Sequence, residues 1–287
     1  MMERAIEKAK ILMDAMPYIK EYRGRKVLIK FGGKAMQDQK IEQSIANDIA
    51  MMLYVGLSPV VVHGGGPDIS ARMKEKGLQP QFIDGLRVTN KKTLKVVKEV
   101  LVDKINKEIA GNINIHGKLA EGISGDTSGL IEAEKMEIEG GDLGFVGNVK
   151  KINKSVVEKI VKAGKIPVIA SIGKGINGDS YNINADSVAS ELAAALGCEK
   201  IIFLTNVDGV HASYGDNDSL ISALTYDQCK ELVEKKAVSG GMLPKVLSCM
   251  SALEKGVHRA HILSGVIDHA LLLEIFTDEG IGTMITN

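Results

Sequence analysis

The stretch Lys26-Val27-Leu28-Ile29-Lys30-Phe31-Gly32-Gly33 reads as a short buried strand that gives way to a flexible turn, with one lysine held at the junction. A continuous apolar, β-branched run bounded by glycine is the pattern of a strand covered on both faces of a parallel sheet. A cation at the end of such a strand is costly without an anionic partner. A second run, residues 59–62, opens into His63-Gly64-Gly65-Gly66-Pro67, and a third glycine pair, Gly240-Gly241, leads through Pro244 to Lys245 at a predicted helix start. Cations are disfavoured there, because the helix dipole is positive at its N-terminus. Two lysines in unfavourable places, each beside glycines whose bare N–H groups can face a ligand, imply a bound polyanion such as a nucleotide phosphate.

Outward from these turns, strands are predicted at residues 26–31, 59–63, 166–172, 200–205 and 258–263. Helices are predicted at 41–55, 67–76, 90–109, 154–163, 185–196, 226–235 and 245–255. This alternation implies an α/β chain with a mainly parallel open sheet covered by helices on both faces. Ligands of such sheets sit at the carboxyl ends of the strands, which is where the glycine turns fall. Residues 113–149 are rich in glycine and read as hairpins rather than crossover units. Near the N-terminus, Ile6, Ala9, Met13, Met16 and Tyr18 or Ile19 recur at helical spacing until Pro17 and Gly24 interrupt. They predict an amphipathic helix whose stripe packs on its own subunit or another. A lobe boundary is placed near Gly197, giving an N-terminal helix (1–22), a first lobe (23–196) and a second (197–287).

The 287 residues, 45% hydrophobic, suffice for one large core or two lobes. With 36 basic and 36 acidic residues the chain has no basic field to drive nucleic-acid or membrane-surface binding, so phosphate binding must be local. Cys198, Cys229 and Cys249 are far apart and form no C-x-x-C, which argues against a zinc site or disulfide framework and for reduced thiols in a cytoplasmic protein. No apolar stretch approaches the roughly 18 residues of a membrane span. Glu3, Glu7 and Asp14 do not fit a signal peptide.

The segment Gly173-Lys174-Gly175-Ile176-Asn177-Gly178 matches G-x-G-x-x-G, but its helix starts only near Ala185. A dinucleotide fingerprint needs its last glycine on the opening turn, so the segment reads as a flexible loop. A P-loop, a kinase H-R-D loop and a nucleophile elbow are all missing from the sequence. Tyr181-Asn182-Ile183-Asn184-Ala185-Asp186 precedes an apolar-periodic helix closed by Gly197. One Asx residue suffices to cap. Three within five residues suggest that at least one faces a site, with capping alone as the plainer alternative. Arg87, in Gly85-Leu86-Arg87-Val88-Thr89, is suited to gripping a carboxylate bidentately. Taken alone, it reads more simply as a surface salt bridge.

The motifs KFGG (30–33), VVHGGGPDIS (61–70), GLRVT (85–89), DLGFVGNV (142–149), IPVIASIG (166–173), YNINAD (181–186), FLTNVDGV (203–210) and GGMLPKV (240–246) run in order through nearly the whole chain. Together they resemble the acetylglutamate kinase branch of the amino-acid kinase family. KFGG and HGGG are shared with carbamate, aspartate and uridylate kinases; GLRVT with YNINAD and GGMLPK is more particular. The resemblance implies a three-layer αβα sandwich whose first lobe holds N-acetyl-L-glutamate and whose second holds MgATP, the Mg²⁺ held mainly by the nucleotide with no protein metal site. The γ-phosphoryl would pass to the substrate's side-chain carboxylate, the second step of arginine biosynthesis. By matching position, Lys30 and Lys245 would stabilise the transferring phosphoryl and Asp186 would orient both. Gly32, Gly33, Gly240 and Gly241 would meet phosphates, and Gly64, Gly65, Arg87 and Asn182 the substrate. A carboxylate acceptor is already deprotonated, so no general base is expected.

Both chain ends resemble the arginine-sensitive branch of that family, a homohexamer built as a trimer of dimers through the N-terminal helix. By matching position, His261, Glu274, Gly280 and Gly282 would line the arginine site, with Glu274 facing the guanidinium. On the residues alone, Glu274 reads as a solvated residue after Leu271-Leu272-Leu273. Three departures from the family pattern stand out. The loop at His211-Ala212-Ser213-Tyr214 lacks a lysine that often helps hold the effector carboxylate. Asp126 sits in Ser124-Gly125-Asp126-Thr127 where relatives read S-G-K-D. Lys34 occupies a place usually small and polar. The last two bear on substrate grip. The competing readings are a kinase for a carrier-linked aminoadipate or glutamate in lysine biosynthesis, and a catalytically silent arginine sensor. Whether the nitrogen-signalling PII protein is a partner is left open by the sequence.

Overall fold

A computed structural model describes residues 2–32, 38–139, 141–212, 219–238, 240–278 and 280–287. The chain opens with α1 (Met2–Asp14) and α2 (Met16–Tyr22), then β1 (Lys26–Phe31), α3 (Gln39–Tyr54), β2 (Ser58–His63) and α4 (Gly66–Glu75). A small ribbon, β3 (Phe82–Ile83) and β4 (Leu86–Arg87), leads into α5 (Lys91–Lys98), a π-helical segment (Glu99–Asn106) and α6 (Lys107–Asn114). Next come β5 (Ala120–Ser124), β6 (Ile131–Lys135), β7 (Gly147–Ile152), α7 (Lys154–Lys162), β8 (Ile166–Ala170), β9 (Ile172–Gly175), β10 (Ser180–Asn182) and α8 (Ala185–Leu196). The chain closes with β11 (Lys200–Thr205), β12 (Ala223–Thr225), α9 (Tyr226–Glu234), α10 (Leu243–Glu254), β13 (Arg259–Ser264), α11 (Ala270–Phe276) and β14 (Thr283–Thr286).

The main sheet has eight strands in the order β12-β14-β13-β11-β1-β2-β8-β5, all parallel except the β13–β14 pair. β1 lies inside it, with Ile29 level with Val61 of β2 and Ile202 of β11. Because side chains alternate along a strand, β1 feeds two cores at once. Leu28 packs with Val60, Val62, Ile201 and the α8 residues Val188 and Leu192 on one face. Val27, Ile29 and Phe31 pack with Ile45 and Ile49 of α3 on the other. Helices therefore cover both faces, the three-layer α/β arrangement that the alternation of elements implies.

Several local readings need correction. The run 166–172 is not one strand: it breaks at Ser171, β8 staying in the main sheet while β9 enters a four-stranded sheet of order β10-β9-β6-β7. Residues 173–178 are not a flexible loop but the arm and turn of the β9–β10 hairpin, with Gly178 at φ 85°. Its glycines serve close packing: a Cβ on Gly173 would lie 2.7 Å from the Ala133 Cβ. β5, expected within a hairpin, joins the edge of the main sheet parallel to β8, whereas β6 and β7 do pair antiparallel. The N-terminal helix is two helices, since Pro17 starts a new one at the first turn of α2. No helix among the described residues is long and apolar enough to cross a membrane.

Candidate active site

The C-terminal ends of β1, β2 and β11 lie side by side, and the two lysines singled out in the sequence meet there. Lys30 leaves the end of β1 and places Nζ 2.8 Å from Asp186 Oδ1; Lys245, in the first turn of α10, places Nζ 3.6 Å from Asp186 Oδ2. The Lys30–Asp186 contact is an ion pair rather than a directed hydrogen bond. Burial pushes the Asp186 carboxyl up, but Lys30 and then Lys245 outweigh it and hold the group below its ordinary value. The carboxylate is therefore ionised at neutral pH. Two ammonium groups around one carboxylate leave an excess of one positive charge in a largely buried place, which an incoming anion would neutralise.

The Asx cluster before α8 divides its work among three residues. The Asn184 side chain caps the helix by accepting from Asp186 N at 2.8 Å. Asp186 is thereby free to face the lysines from the first turn, where the helix dipole favours an anion. Asn182 faces the other way, its Nδ2 donating to Thr89 Oγ1 at 3.2 Å, while Thr89 Oγ1 donates to Arg87 O at 2.9 Å. Asn182 and Arg87 are thus linked through one threonine that the sequence reading did not single out. Its signal, a hydroxyl two residues from an arginine, is too common to stand out.

Arg87 is not on the surface: it is 8% exposed, and burial lowers its guanidinium from the usual value. Its Nη2 donates to Gly66 O at 2.8 Å and Ser70 Oγ at 2.7 Å, and the guanidinium lies 4.7 Å from the Phe82 ring centroid. Among the described residues no carboxylate lies within ion-pair distance of it, so the surface salt bridge does not form. A buried guanidinium held by neutral acceptors can still receive an anion.

The glycine turns are shaped by their neighbours. A Cβ on Gly65 would lie 2.5 Å from Ile105 Cδ1 of the π-helical segment, and one on Gly32 would lie 2.9 Å from Lys30 Nζ. Gly64 differs from expectation: its N–H donates to Phe31 O at 3.1 Å, because the β1–β2 register continues one residue past the strands. Among the described residues no backbone acceptor takes the N–H of Gly32 or Gly65. Gly33 and Lys34 lie outside the described residues, as do Ser213 and Tyr214. His63 is fully buried, which holds its pKa down to about 4. The Asn106 amide faces both His63 Nε2 (3.0 Å) and the Val168 carbonyl (2.9 Å), so its nitrogen is the donor and Nε2 the acceptor. The proton then sits on Nδ1, which donates to Gly64 O at 3.0 Å and fixes that peptide. The π-helical segment thus supports the turn through both Ile105 and Asn106.

Beyond β11 a cleft of about 490 Å³ is lined by Asn206, Val207, Val210, Gly240, Gly241 and Lys245, among others. Gly240, at φ 56°, uses a backbone conformation that favours glycine. The cleft floor at residues 205–210 was given no role in the sequence reading, although a turn after a buried parallel strand was signal enough. Among the described residues no three His, Cys, Asp or Glu side chains converge as a metal site.

A second cluster lies around β13. His261 Nδ1 donates to Glu274 Oε1 at 2.6 Å, and Ile281 N donates to Glu274 Oε2 at 2.8 Å. A Cβ on Gly280 would lie 3.2 Å from Glu274 Oε2, and one on Gly282 would lie 2.3 Å from Ile262 O. Glu274 is 8% exposed, not solvated, because α11 turns it inward onto β13. Burial raises its carboxyl, but His261 and the Ile281 N–H prevail and hold it below the ordinary value. Burial lowers His261, whose Nε2 has no hydrogen-bond partner among the described residues. Lys200 lies nearby, its Nζ 4.5 Å from the Tyr22 ring centroid, with burial bringing its pKa down to about 8.

The family model for the amino acid kinase family matches residues 25–264. Acetylglutamate kinases of Caldanaerobacter subterraneus subsp. tengcongensis and Halothermothrix orenii are each 49% identical to this chain, over 98% and 99% of it and 93% and 99% of their own lengths. Among solved structures, N-acetylglutamate synthase from Neisseria gonorrhoeae, complexed with coenzyme A and N-acetyl-glutamate, superposes with a TM-score of 0.84 at 26% identity. That match covers 97% of this chain and 63% of the synthase. An isopentenyl phosphate kinase, 19% identical over 91% of this chain, shares the fold with a TM-score of 0.63. The chain belongs to the amino acid kinase family.

Proposed function

We propose that the protein transfers the γ-phosphoryl group of ATP to the side-chain carboxylate of N-acetyl-L-glutamate, the second step of arginine biosynthesis. The observation that carries this reading is Asp186 set between Lys30 and Lys245 at the glycine-lined edge of the sheet, a site with one positive charge in excess. The acceptor carboxylate is ionised at neutral pH. Its oxygen forms the new bond to γ-phosphorus as the bond to the β,γ-bridging oxygen breaks and ADP leaves, with no proton to remove. Catalysis then rests on position and charge. Lys30 and Lys245 would meet the equatorial oxygens, Asp186 would hold both lysines in place, and the free N–H groups of Gly32 and Gly65 would add donors. Arg87 and Asn182 would grip the acetylglutamate α-carboxylate region. The nucleotide would lie in the cleft at Gly240 and Gly241, carrying its Mg²⁺ on its phosphates.

On this reading residues 23–196 form the substrate lobe and 197–287 the nucleotide lobe, joined through the continuous β11–β1 pairing. The test is ATP-dependent formation of a hydroxylamine-trappable acyl phosphate across N-acetylglutamate, glutamate, aspartate and carbamate. Acetylglutamate is expected to give the strong signal. A blank with acetylglutamate would sink the reading and turn attention to a carrier-linked substrate.

The second cluster supports a regulatory reading: an ionised, inward-turned Glu274 beside an unpaired imidazole nitrogen would receive a guanidinium, so arginine would inhibit from there. Ile6, Ile11, Leu12 and Met13 of α1 are each at least half exposed, a face that copies of the chain would cover in a hexamer built from three dimers. Arginine and substrate should then weaken each other's binding with a coupling of ~1–3 kcal/mol. Glu274→Ala is expected to abolish arginine binding, measured calorimetrically, while sparing turnover. A full-length protein that sediments as a dimer and ignores millimolar arginine would remove this regulatory reading and leave the kinase reading intact.

A further inference from the structure

Asp126, the acid found where a lysine was expected, does not reach an open substrate pocket. It is 4% exposed, and donors converge on both of its oxygens. Oδ1 accepts from Ser124 Oγ at 2.5 Å and Thr127 N at 2.8 Å; Oδ2 accepts from Lys98 Nζ at 2.7 Å and Ser180 Oγ at 2.6 Å. Lys98 Nζ also donates to Ser180 Oγ at 3.2 Å, closing a triangle. Burial pushes the carboxyl up, and Lys98 with the two serines brings it below its ordinary value, so the charge persists at neutral pH. Such a fully satisfied buried group specifies geometry, since removing one partner leaves the others exposed to a large penalty.

The elements it joins decide what that geometry governs. Ser180 begins β10, a three-residue edge strand that ends in Asn182. Lys98 ends α5, whose N-cap Asn90 directly follows Thr89, and α5 packs against β10. Thr89 touches Asn182 at one end of this arrangement, and Lys98 with Asp126 clamps Ser180 at the other. β10 has one strand neighbour, β9; beyond it, the Val146–Asn182 bridge holds the Asn182 end and the clamp holds Ser180 at the other end. Lys30 and Lys245 stand on β1 and α10, outside this loop of contacts.

We infer that Asp126 is a positioning residue for the acceptor substrate: through Lys98 and Ser180 it fixes β10, and with it the spacing of Asn182 from Arg87. This rests on the reading above that Arg87 and Asn182 grip acetylglutamate. The clamp should therefore govern the acceptor's KM and leave the nucleotide's KM alone.

The test uses the full-length enzyme and Lys98→Met, Lys98→Arg and Asp126→Asn. The Lys98 side chain is partly solvent-exposed, so Lys98→Met opens no core cavity, and thermal melts of all three variants check that each is folded before its kinetics are compared. Lys98→Met is expected to raise the KM for acetylglutamate roughly five- to tenfold, with that for ATP and kcat each changing less than about threefold. Lys98→Arg should restore near-normal values, because it keeps the cation. Asp126→Asn should resemble Lys98→Met, since an amide cannot offer both sites as acceptors. In the ligand-free protein, amide exchange at Asn182, whose N–H donates to Phe145 O, should quicken in Lys98→Met by about tenfold or more. Equal rises in both KM values, or unchanged exchange at Asn182, would overturn the proposal. The exchange measurement needs no substrate, so it decides on the clamp even if the enzyme takes a different acceptor.

Discussion

Lys30→Ala and Lys245→Ala are each expected to lower kcat by about 10²-fold or more, ~3 kcal/mol of transition-state stabilisation, with a smaller effect on either KM. Each ammonium approaches Asp186 from a different element, β1 or α10, so together they bracket the space where an anion would sit. Charge spreads over the phosphoryl oxygens most fully during transfer, and a fixed cation is then worth more than it is to the bound ground state. The fold should survive either change, because the remaining lysine still pairs the buried carboxylate. Steady-state rates alongside thermal melts provide the check. A variant with near-normal turnover and an unaltered melt would take its lysine out of the mechanism.

Arg87→Lys should raise the KM for acetylglutamate at least about tenfold and leave that for ATP little changed. The guanidinium is held over the Phe82 ring by Gly66 O and Ser70 Oγ, with no carboxylate partner among the described residues. An ammonium cannot reproduce that fork, so it would lose both the framework contacts and a bidentate hold on a carboxylate. Initial-rate measurements with each substrate varied in turn separate the outcomes. Parallel losses for both substrates would mean that Arg87 supports the fold or the nucleotide instead.

What the sequence made visible was the cost of particular placements. Lys30 at the end of an apolar strand and Lys245 at a helix start are each unfavourable alone, and both resolve into one ion-paired cluster with Asp186. The strand 26–31, a continuous apolar run, and the helix 185–196, with its apolar periodicity, ended at the residues expected. Burial was less legible. Arg87 and Glu274 have exposed-looking local contexts, yet β4 and α11 turn both inward by tertiary packing that no short window encodes. Asp126 illustrates the limit most sharply. Its partners Lys98 and Ser180 lie far away in sequence, and only the packing of α5 against β10 brings them to one carboxylate. The π-helical segment carries the same lesson, since its apolar spacing reads as an ordinary helix continuing α5.

The place of β1 in the sheet also has a consequence while the chain is being made. Its β2 neighbour follows soon after it, but the strand that covers its other edge, β11, begins only at Lys200. At ribosomal speeds of ~5–20 residues per second, that edge waits on the order of ten seconds or longer for its partner. An apolar strand with an open edge is a template for pairing with other chains, and interrupting charges are the usual safeguard. Lys26 and Lys30 flank Val27-Leu28-Ile29. These two ammonium groups are placed as such interrupting charges, so a neutral residue at position 30 is expected to lower the soluble yield during synthesis, independently of any effect on turnover.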